Sequence, residues 1–234
     1  MSTPNVSGNF RTPAAVVFDM DGLLLDSERL ARDTFIAACH EYGYQPDIAV
    51  YRRVVGSTYG ATQVILREGY GPDFPFEPIY ARWSERYDAH VHHLPVDKKA
   101  GVLEILETLT DAGVPLALAT STHRTNAQVK LKLADIGQRF THLVCGGETQ
   151  RGKPHPDPYL RACELLGESP ARCWALEDSM NGTRAALAAG LTVFQIPDLV
   201  FPEEHERNLG QHLVHSLHDI RTLFLELKTR RNQP

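Results

Sequence analysis

The chain has 234 residues, of which 42% are hydrophobic and 23% are charged, and its formal net charge is −5. This length accommodates one large domain, or one domain with a smaller insertion, and the composition is that of an ordinary globular protein. Because the net charge is negative, the chain has no general basic field, which excludes a nucleic-acid-binding protein that depends on one. We therefore expect no nucleic-acid partner, and an anionic small substrate would need a local positive site.

Four cysteines are scattered along the chain without a Cys-x-x-Cys pair, which predicts buried reduced thiols rather than a thiolate metal site. The first residues lack the basic-then-apolar pattern of a signal peptide, and no apolar run approaches the length of a membrane span. From these features we expect a cytoplasmic protein that has no membrane partner and is a monomer or a weak dimer.

The first predicted element is a strand, because the apolar, β-branched run over residues 14–18 ends abruptly at Asp19. Asp21 follows two positions later, and Gly22 permits a sharp turn directly after it. Residues i and i+2 of an extended segment point to the same side, so the two carboxylates can act on one ligand. The polar residues 1–12 before the strand are expected to be a frayed lead-in.

Residues 27–94 are predicted to form an all-helical cap domain, because apolar residues recur near the 3.6-residue period and no segment reads as a strand. A proline-containing loop over residues 71–78 interrupts this block. The block follows the first strand directly, so we expect it to project from the carboxyl edge of the sheet. The predicted helices cover residues 27–42, 48–55, 61–67 and 79–92.

From residue 99 onward predicted helices alternate with predicted strands, and a glycine follows almost every helix. The helices cover residues 100–112, 123–136, 156–166 and 180–189, and the strands cover 114–119, 143–145, 173–176 and 191–196. This alternation predicts right-handed βαβ crossovers and a doubly wound parallel sheet, a Rossmann-like α/β core formed by residues 13–26 and 95–234. An apolar helical pattern over 217–224 precedes a Lys/Arg-rich end that we expect to be disordered.

The predicted strand ends and loops bring polar side chains to one rim of the sheet, where ligands bind in open α/β folds. In chain order these residues are Asp19, Asp21, Thr120, Ser121, Lys153, Glu177 and Asp178. Four carboxylates at one place repel one another unless a cation lies among them, and oxygen ligands suit Mg²⁺, which keeps waters and shares a substrate phosphate. Thr120 and Ser121 lie where a strand is predicted to open into a helix, so hydroxyl and backbone N–H groups can hold phosphate oxygens there. Lys153 adds a point positive charge for the phosphate and the nucleophile.

This arrangement indicates Mg²⁺-assisted phosphoryl transfer through an aspartyl-phosphate. Asp19 would attack phosphorus, while Asp21 would protonate the leaving oxygen and then activate the water that attacks the acyl phosphate. Each residue by itself has a plainer interpretation, because acids at strand ends are often solvated, hydroxyl and acidic residues commonly cap helices, and Lys153 could be a surface lysine. All of these residue types occur together, each near the carboxyl end of a predicted strand. This combination favours a phosphoryl-transfer site over the plainer interpretations.

Four motifs make the chain resemble the haloacid dehalogenase-like superfamily of hydrolases, in the branch with a small helical cap inserted after the first strand. The resemblance covers about residues 14–200 and implies that Thr120 and Ser121 bind the phosphate while Lys153 bridges the nucleophile and the phosphate. The motifs are Phe18-Asp19-Met20-Asp21-Gly22, Ala119-Thr120-Ser121, Gly152-Lys153-Pro154 and Leu176-Glu177-Asp178-Ser179.

The same resemblance implies that Asp19 is the nucleophile and a metal ligand, and that Asp21 is the acid/base and binds Mg²⁺ through its backbone carbonyl. Asp178, with Glu177 in support, would complete the metal site. Dehalogenases of this superfamily lack the second aspartate and do without Mg²⁺. The presence of Asp21 therefore favours phosphate over halide as the group that is removed.

The chain looks most like β-phosphoglucomutase-like proteins and sugar-phosphate phosphatases. In the mutases a cap histidine and a cap arginine assist the sugar phosphate, and the corresponding positions here are Ala31 and Tyr59. We therefore expect a Mg²⁺-dependent phosphatase of a small phosphorylated metabolite. The alternatives are a phosphomutase and a phospho-accepting regulatory module, although receiver domains lack a helical insertion after the first strand.

Substrate choice is expected to lie in the helical block, because the core residues recognise only the phosphate and the metal. The block joins the core near residues 26–27 and 94–99, and a hinge at these connections would let it close over the site. Candidate residues facing the site are Glu28, Gly56, Ser57, Thr58, Tyr59 and His123.

Overall fold

A computed structural model describes residues 10–57 and 59–231. Within these ranges the core is a six-stranded parallel sheet in the order β3-β2-β1-β4-β5-β6. The strands are β1 (Ala15–Phe18), β2 (Leu116–His123), β3 (His142–Gly146), β4 (Cys173–Glu177), β5 (Thr192–Gln195) and β6 (His212–Leu213). The core helices are α5 (Val102–Asp111), α6 (Arg124–Leu133), α7 (Asp157–Leu166), α8 (Met180–Ala188) and α9 (Leu217–Arg231).

The strand β1 lies at the centre of the sheet, paired with β2 on one side and β4 on the other. Its four residues are completely buried and alternate between the two faces. Val16 and Phe18 contribute to one apolar cluster, which α5, α6 and α9 cover, while Ala15 and Val17 contribute to a second, which α7 and α8 cover. Helices therefore pack on both faces, and the predicted doubly wound α/β fold is confirmed.

Between β1 and α5 the chain forms four helices with an apolar cluster of their own. They are α1 (Ser27–Glu41), α2 (Ile48–Val54), α3 (Tyr59–Tyr70) and α4 (Phe76–His93). The cluster includes the aromatic side chains of Phe35, Tyr51, Phe74 and Phe76, all nearly or fully buried. This insertion can therefore bury apolar surface without the sheet, as a cap domain must. The domain bounds 27–94 stay a prediction.

The two connections between the insertion and the core run side by side. The amide of Asp26 donates to the carbonyl of Asp97 at 2.8 Å, and the amide of Lys99 donates to the carbonyl of Leu24 at 3.0 Å. Leu25 and Lys98 form an antiparallel bridge between these bonds. The insertion thus leaves and re-enters the core at one place, directly beyond the carboxyl end of β1.

The helices α4 and α9 and the strand β6 are among the elements that differ from the sequence prediction. The helix α4 begins at Phe76, inside the predicted loop, because Phe76 is fully buried and Pro78 falls in the first helical turn, where a missing N–H costs nothing. The helix α9 continues to Arg231, so the described part of the basic end is helical rather than disordered; its buried Leu217 and Phe224 anchor it to the sheet. The strand β6 has two residues, too few for a periodic pattern.

No helix within residues 10–57 and 59–231 is both long and apolar enough to cross a membrane. The expected frayed lead-in falls mainly on residues 1–9, which lie outside the described residues.

Candidate active site

The turn after β1 presents the first two acidic side chains of the site. The amides of Leu24 and Leu25 both donate to the carbonyl of Met20, so the chain reverses within a few residues. Gly22 lies in this turn with φ +86°, a conformation that favours glycine. A Cβ atom at Gly22 would lie 2.2 Å from Oδ2 of Asp178, so the absence of a side chain lets that carboxylate approach the turn.

Lys153 links two of the predicted site residues. Its Nζ donates to Oδ1 of Asp19 at 2.5 Å and also to Oε1 of Glu177, and its side chain is only 5% exposed. Its ammonium lies 5.1 Å from the centre of the Tyr159 ring, and the Tyr159 hydroxyl donates to Oε1 of Glu177 at 3.0 Å. A buried ammonium between two carboxylates needs such partners to offset the loss of hydration.

Glu177 is completely buried, and both of its oxygens are already hydrogen-bonded. Besides Lys153 and Tyr159 at Oε1, the amide and hydroxyl of Ser179 donate to Oε2 at 2.9 and 3.0 Å. Gly182 makes room for the carboxylate, because a Cβ there would lie 1.6 Å from Oε1. These contacts hold Lys153 and the start of α8, and the place of Glu177 in the metal-ligand set stays a prediction.

The negative charges of Asp19 and Asp178 are not fully balanced by the described protein groups. Burial raises the pKa of Asp19 to about 7, an effect that Lys153 opposes and that the charge of Glu177 reinforces. Burial and the charges of Glu177 and Asp19 raise the pKa of Asp178 well above its ordinary value. Oδ1 of Asp178 is buried and has no hydrogen-bond partner among the described residues. A hard cation bound by Asp19 and Asp178 would supply the missing charge and the missing contact.

Asp21 has a different environment, although it lies only two residues from Asp19. Thr122 Oγ1 donates to its Oδ2 at 2.6 Å, and Lys130 Nζ donates to its Oδ1 at 2.8 Å. Burial alone would raise the pKa of Asp21, but Lys130 and these hydrogen bonds hold it below its ordinary value. The neighbouring Asp21 carboxylate in turn raises the pKa of Lys130, which burial alone would lower. The pKa of Asp19 is thus raised, whereas the pKa of Asp21 is lowered.

Sequence reasoning missed Lys130, which also donates to the hydroxyl of Tyr87 on α4 at 2.8 Å. A signal was present, because Lys130 belongs to the apolar stripe of α6 that buries Ala127, Leu131 and Ala134. A lysine at such a position needs an acidic or polar partner nearby. The partner could not be named without knowing that α6 packs beside the turn after β1.

The predicted phosphate-binding pair lies at the end of β2 rather than at the start of a helix. Thr120 is buried and its Oγ1 accepts a bond from the amide of Thr122 at 3.1 Å, whereas Ser121 is exposed. The strand continues to His123 because its end pairs with Gly146 after a register shift. The missing side chain of Gly146 permits this approach, since a Cβ there would lie 2.1 Å from the carbonyl oxygen of Ser121. The strand therefore runs four residues further than predicted, and α6 begins at Arg124, one residue after the predicted start of the helix.

A cavity of about 350 Å³ lies between the core and the insertion. Asp21, Ser121 and Lys130 line it from the core, and Glu28, Ala31 and Tyr87 line it from the insertion, together with Ser27, Thr122, His123 and Asn126. Both parts of the chain therefore contribute walls to one space beside the acidic residues.

Two of the candidate residues facing the site, Glu28 and His123, line this cavity. Burial raises the pKa of Glu28 to about 7, and the charges of Asp21 and Asp198 reinforce that effect. Tyr59 instead packs its ring against Phe76 and Tyr80 in the aromatic cluster of the insertion. Gly56 and Ser57 are not among the walls, and Thr58 lies outside the described residues.

The chain matches known proteins over most of its length. A sequence model of the family described as "Haloacid dehalogenase-like hydrolase" matches residues 16–196. A curated relative from Thermotoga maritima, named phosphorylated carbohydrates phosphatase, is 32% identical over 210 residues, which cover 90% of this chain and 89% of the relative.

Solved structures give the same result. A HAD family hydrolase from Deinococcus radiodurans R1, crystallised with bound phosphate and sodium, superposes with a TM-score of 0.82 at 27% identity, over 94% of this chain and 98% of that chain. The β-phosphoglucomutase of Clostridium difficile is similar in fold alone, with a TM-score of 0.69 at 17% identity over 94% and 98% of the two chains.

Proposed function

Because this chain belongs to the haloacid dehalogenase-like hydrolase family, we propose that it is a Mg²⁺-dependent phosphatase that hydrolyses a small phosphorylated metabolite through a phosphoryl group on Asp19. The family resemblance inferred from the four motifs is confirmed, and so is the enzyme class of phosphoric monoester hydrolase. The metal, the covalent intermediate and the substrate are the proposed part.

The observation that carries the proposal is the contact between Lys153 and Asp19, at the end of the central strand. An ammonium at 2.5 Å from the carboxylate favours the anionic form of Asp19, against the effect of burial, and offers positive charge to an incoming phosphate. The strand β1 is completely buried and paired on both sides, so it fixes the nucleophile rigidly.

In the proposed reaction a carboxylate oxygen of Asp19 forms a bond to phosphorus, and the bond from phosphorus to the leaving oxygen breaks. Asp21, which is a carboxylate in the resting protein, first takes up a proton from solvent and then gives it to that oxygen. The deprotonated Asp21 afterwards takes a proton from the water that attacks the acyl phosphate. Inorganic phosphate leaves and Asp19 is restored. Thr120 and Ser121, with Lys153, are the proposed partners of the phosphate oxygens.

Mg²⁺ fits the donor set as a hard cation for oxygen ligands. The carboxylates of Asp19 and Asp178 and the backbone carbonyl of Asp21 would hold it, and the unpartnered oxygen of Asp178 supports this assignment. When bound, the ion compensates the charge of the phosphoryl group in transfer. The described side chains form no cluster of three or more His, Cys, Asp or Glu arranged around one point, so waters and the substrate phosphate would complete the coordination.

The test is the hydrolysis of an aryl phosphate by the purified protein with Mg²⁺ and with a chelator. We expect turnover only with the metal, and no turnover in Asp19→Asn. Asp73→Asn, the same change on an exposed loop, is the matched control. A phosphoryl adduct on the peptide that contains Asp19 would support the intermediate. Metal-independent turnover, or full activity in Asp19→Asn, contradicts the proposal.

The substrate class proposed first is a phosphorylated carbohydrate, following the name of the Thermotoga maritima relative. A phosphomutase is the alternative, and incubation with sugar 1-phosphates separates the two. Free phosphate supports the phosphatase, whereas an isomerised sugar phosphate supports the mutase. Ala31 lines the cavity and has no ionisable group, which favours the phosphatase.

A further inference from the structure

We propose that Lys130 is a positioning residue that fixes the carboxylate of Asp21 and, through Tyr87, joins the inserted helices to the core in the working arrangement. The proposal rests on the proposed function for the role of Asp21. The contact between the core and the insertion stands on geometry alone.

Lys130 is buried in a position that an apolar residue would normally occupy. Its side chain is 4% exposed, and it occupies the apolar stripe of α6. A methionine or leucine would fill this position without the cost of removing an ammonium from water. Helix packing therefore does not explain the lysine, and its contacts have to be sought in the groups around Nζ.

Lys130 helps to fix the carboxylate of Asp21. Lys130 holds Oδ1 and Thr122 holds Oδ2, so both oxygens are fixed by groups from α6 and β2. Asp21 itself sits in the turn after β1. Three separate segments therefore determine the direction of this carboxylate, and proton transfer depends on that direction because the acid must lie within hydrogen-bond distance of the leaving oxygen.

Lys130 also contacts the insertion through Tyr87. The same Nζ donates to the Tyr87 hydroxyl at 2.8 Å and lies 5.1 Å from the centre of the Tyr87 ring. A further contact between α4 and α6 joins His92 Nε2 and Asn126 Oδ1 at 3.2 Å, but it is exposed. One buried ammonium thus touches both Asp21 of the core and a helix of the insertion. If the insertion moves at its paired connections, Lys130 loses Tyr87.

A merely structural ion pair would behave differently from a positioning residue. If the ion pair were only structural, replacing one member by a hydrocarbon side chain would change stability. It would not be expected to lower kcat while leaving KM unchanged. The described hydrogen bonds of Lys130 go to Asp21 and Tyr87 rather than to the groups proposed to bind the phosphate, Thr120, Ser121 and Lys153. Loss of the Asp21 orientation should therefore lower kcat while KM for a small aryl phosphate changes little.

The experiment compares Lys130→Met, Lys130→Arg and Tyr87→Phe with Lys132→Met, a control on the exposed side of the same helix. We expect Lys130→Met to lower kcat for the aryl phosphate by about 100-fold, the low end of acid–base contributions, with KM within about twofold. Lys130→Arg should recover part of that loss, and Lys132→Met should match the wild-type protein. Wild-type kcat in Lys130→Met, or an equal loss in Lys132→Met, overturns the positioning role.

Hydrogen–deuterium exchange tests the link without relying on activity. We expect Tyr87→Phe and Lys130→Met to increase exchange in α4 and in residues 94–99, and Lys132→Met to leave it unchanged. Unchanged exchange in both variants overturns the link to the insertion. If Lys130→Met does not fold, Tyr87→Phe and Lys130→Arg give the same readouts. If the wild-type protein hydrolyses no phosphate ester, the proposed function and the positioning role both fail, and exchange alone decides the link.

Discussion

Gly22 and Asp178 approach each other so closely that one added methyl group would lie 2.2 Å from a carboxylate oxygen. Asp178 comes from the end of β4, and Gly22 comes from the turn after β1. The proposed metal ligand thus lies against the backbone of the segment that carries both proposed catalytic aspartates.

Gly22→Ala should displace Asp178 and nearly abolish turnover, by about 100-fold, because small displacements at a reacting centre are costly. The backbone strain of a positive φ contributes separately, so Gly43→Ala is the control. Gly43 has φ +76° but nothing within 4 Å of the added Cβ. Both variants should lose about 1–2 kcal/mol of stability from strain. If Gly22→Ala keeps the activity of Gly43→Ala, the contact does not position Asp178.

Mg²⁺ affinity should depend on pH near neutrality. Burial places the pKa of Asp19 at about 7, and a carboxylate must lose its proton to bind a metal. The protonation of Asp19 alone should therefore weaken the apparent affinity by up to about tenfold per pH unit below pH 7. Titration calorimetry in two buffers of different ionisation enthalpy should show proton release at pH 6. An affinity that is the same at pH 6 and pH 8 would contradict the expected coupling.

Glu28 should make the metal-free protein less stable as the pH rises from about 4.5 to about 7. Its folded pKa is raised to about 7, mainly by burial, so the folded state binds the proton more tightly than the unfolded state. Stability therefore falls while the pH rises through this window and levels off above it. Glu28→Gln should raise Tm at pH 8 in the presence of a chelator, with a smaller gain at pH 5. Glu107→Gln, an exposed control, should show no such difference.

Glu177→Gln should be strongly destabilising. The carboxylate accepts bonds from Lys153, Tyr159 and Ser179, and the amide of glutamine would turn a donor toward one of these donors. Removing one partner of a buried ion pair costs about 3–5 kcal/mol. Denaturant unfolding checks the change, with Glu164→Gln on the exposed face of α7 as the control. A loss below about 1 kcal/mol would mean that the network is dispensable.

The strand ends were the most predictable part of this molecule. Asp19 and Asp178 follow apolar runs that have the length and composition of buried strands, and parallel strands bring their carboxyl ends to one edge. Those rules place acidic residues from distant parts of the chain on one rim. The structure brings Asp19, Lys153 and Glu177 into direct contact, and Asp178 against Gly22.

Contacts that depend on side-chain packing between helices were not predictable in the same way. The Lys130–Tyr87 contact needs the relative position of α4 and α6, which no local pattern specifies. The extension of β2 to His123 depends on Gly146 of the neighbouring strand. The role of Glu177 depends on four bonds from three other residues. In each case the sequence supplies the residue type, but the tertiary structure supplies the partner.

The hydrogen bonds between Asp26 and Asp97 and between Leu24 and Lys99 bear on which changes of sequence the inserted segment can accept. They pair the two connections between the insertion and the core, so both connections are held at the core by the same hydrogen bonds. The entropic cost of that pairing grows only slowly with the number of residues enclosed. The α1–α4 segment can therefore be lengthened, shortened or exchanged for another helical segment while β1 stays in register. Chimeras joined at these paired connections would test whether the inserted helices carry the substrate preference.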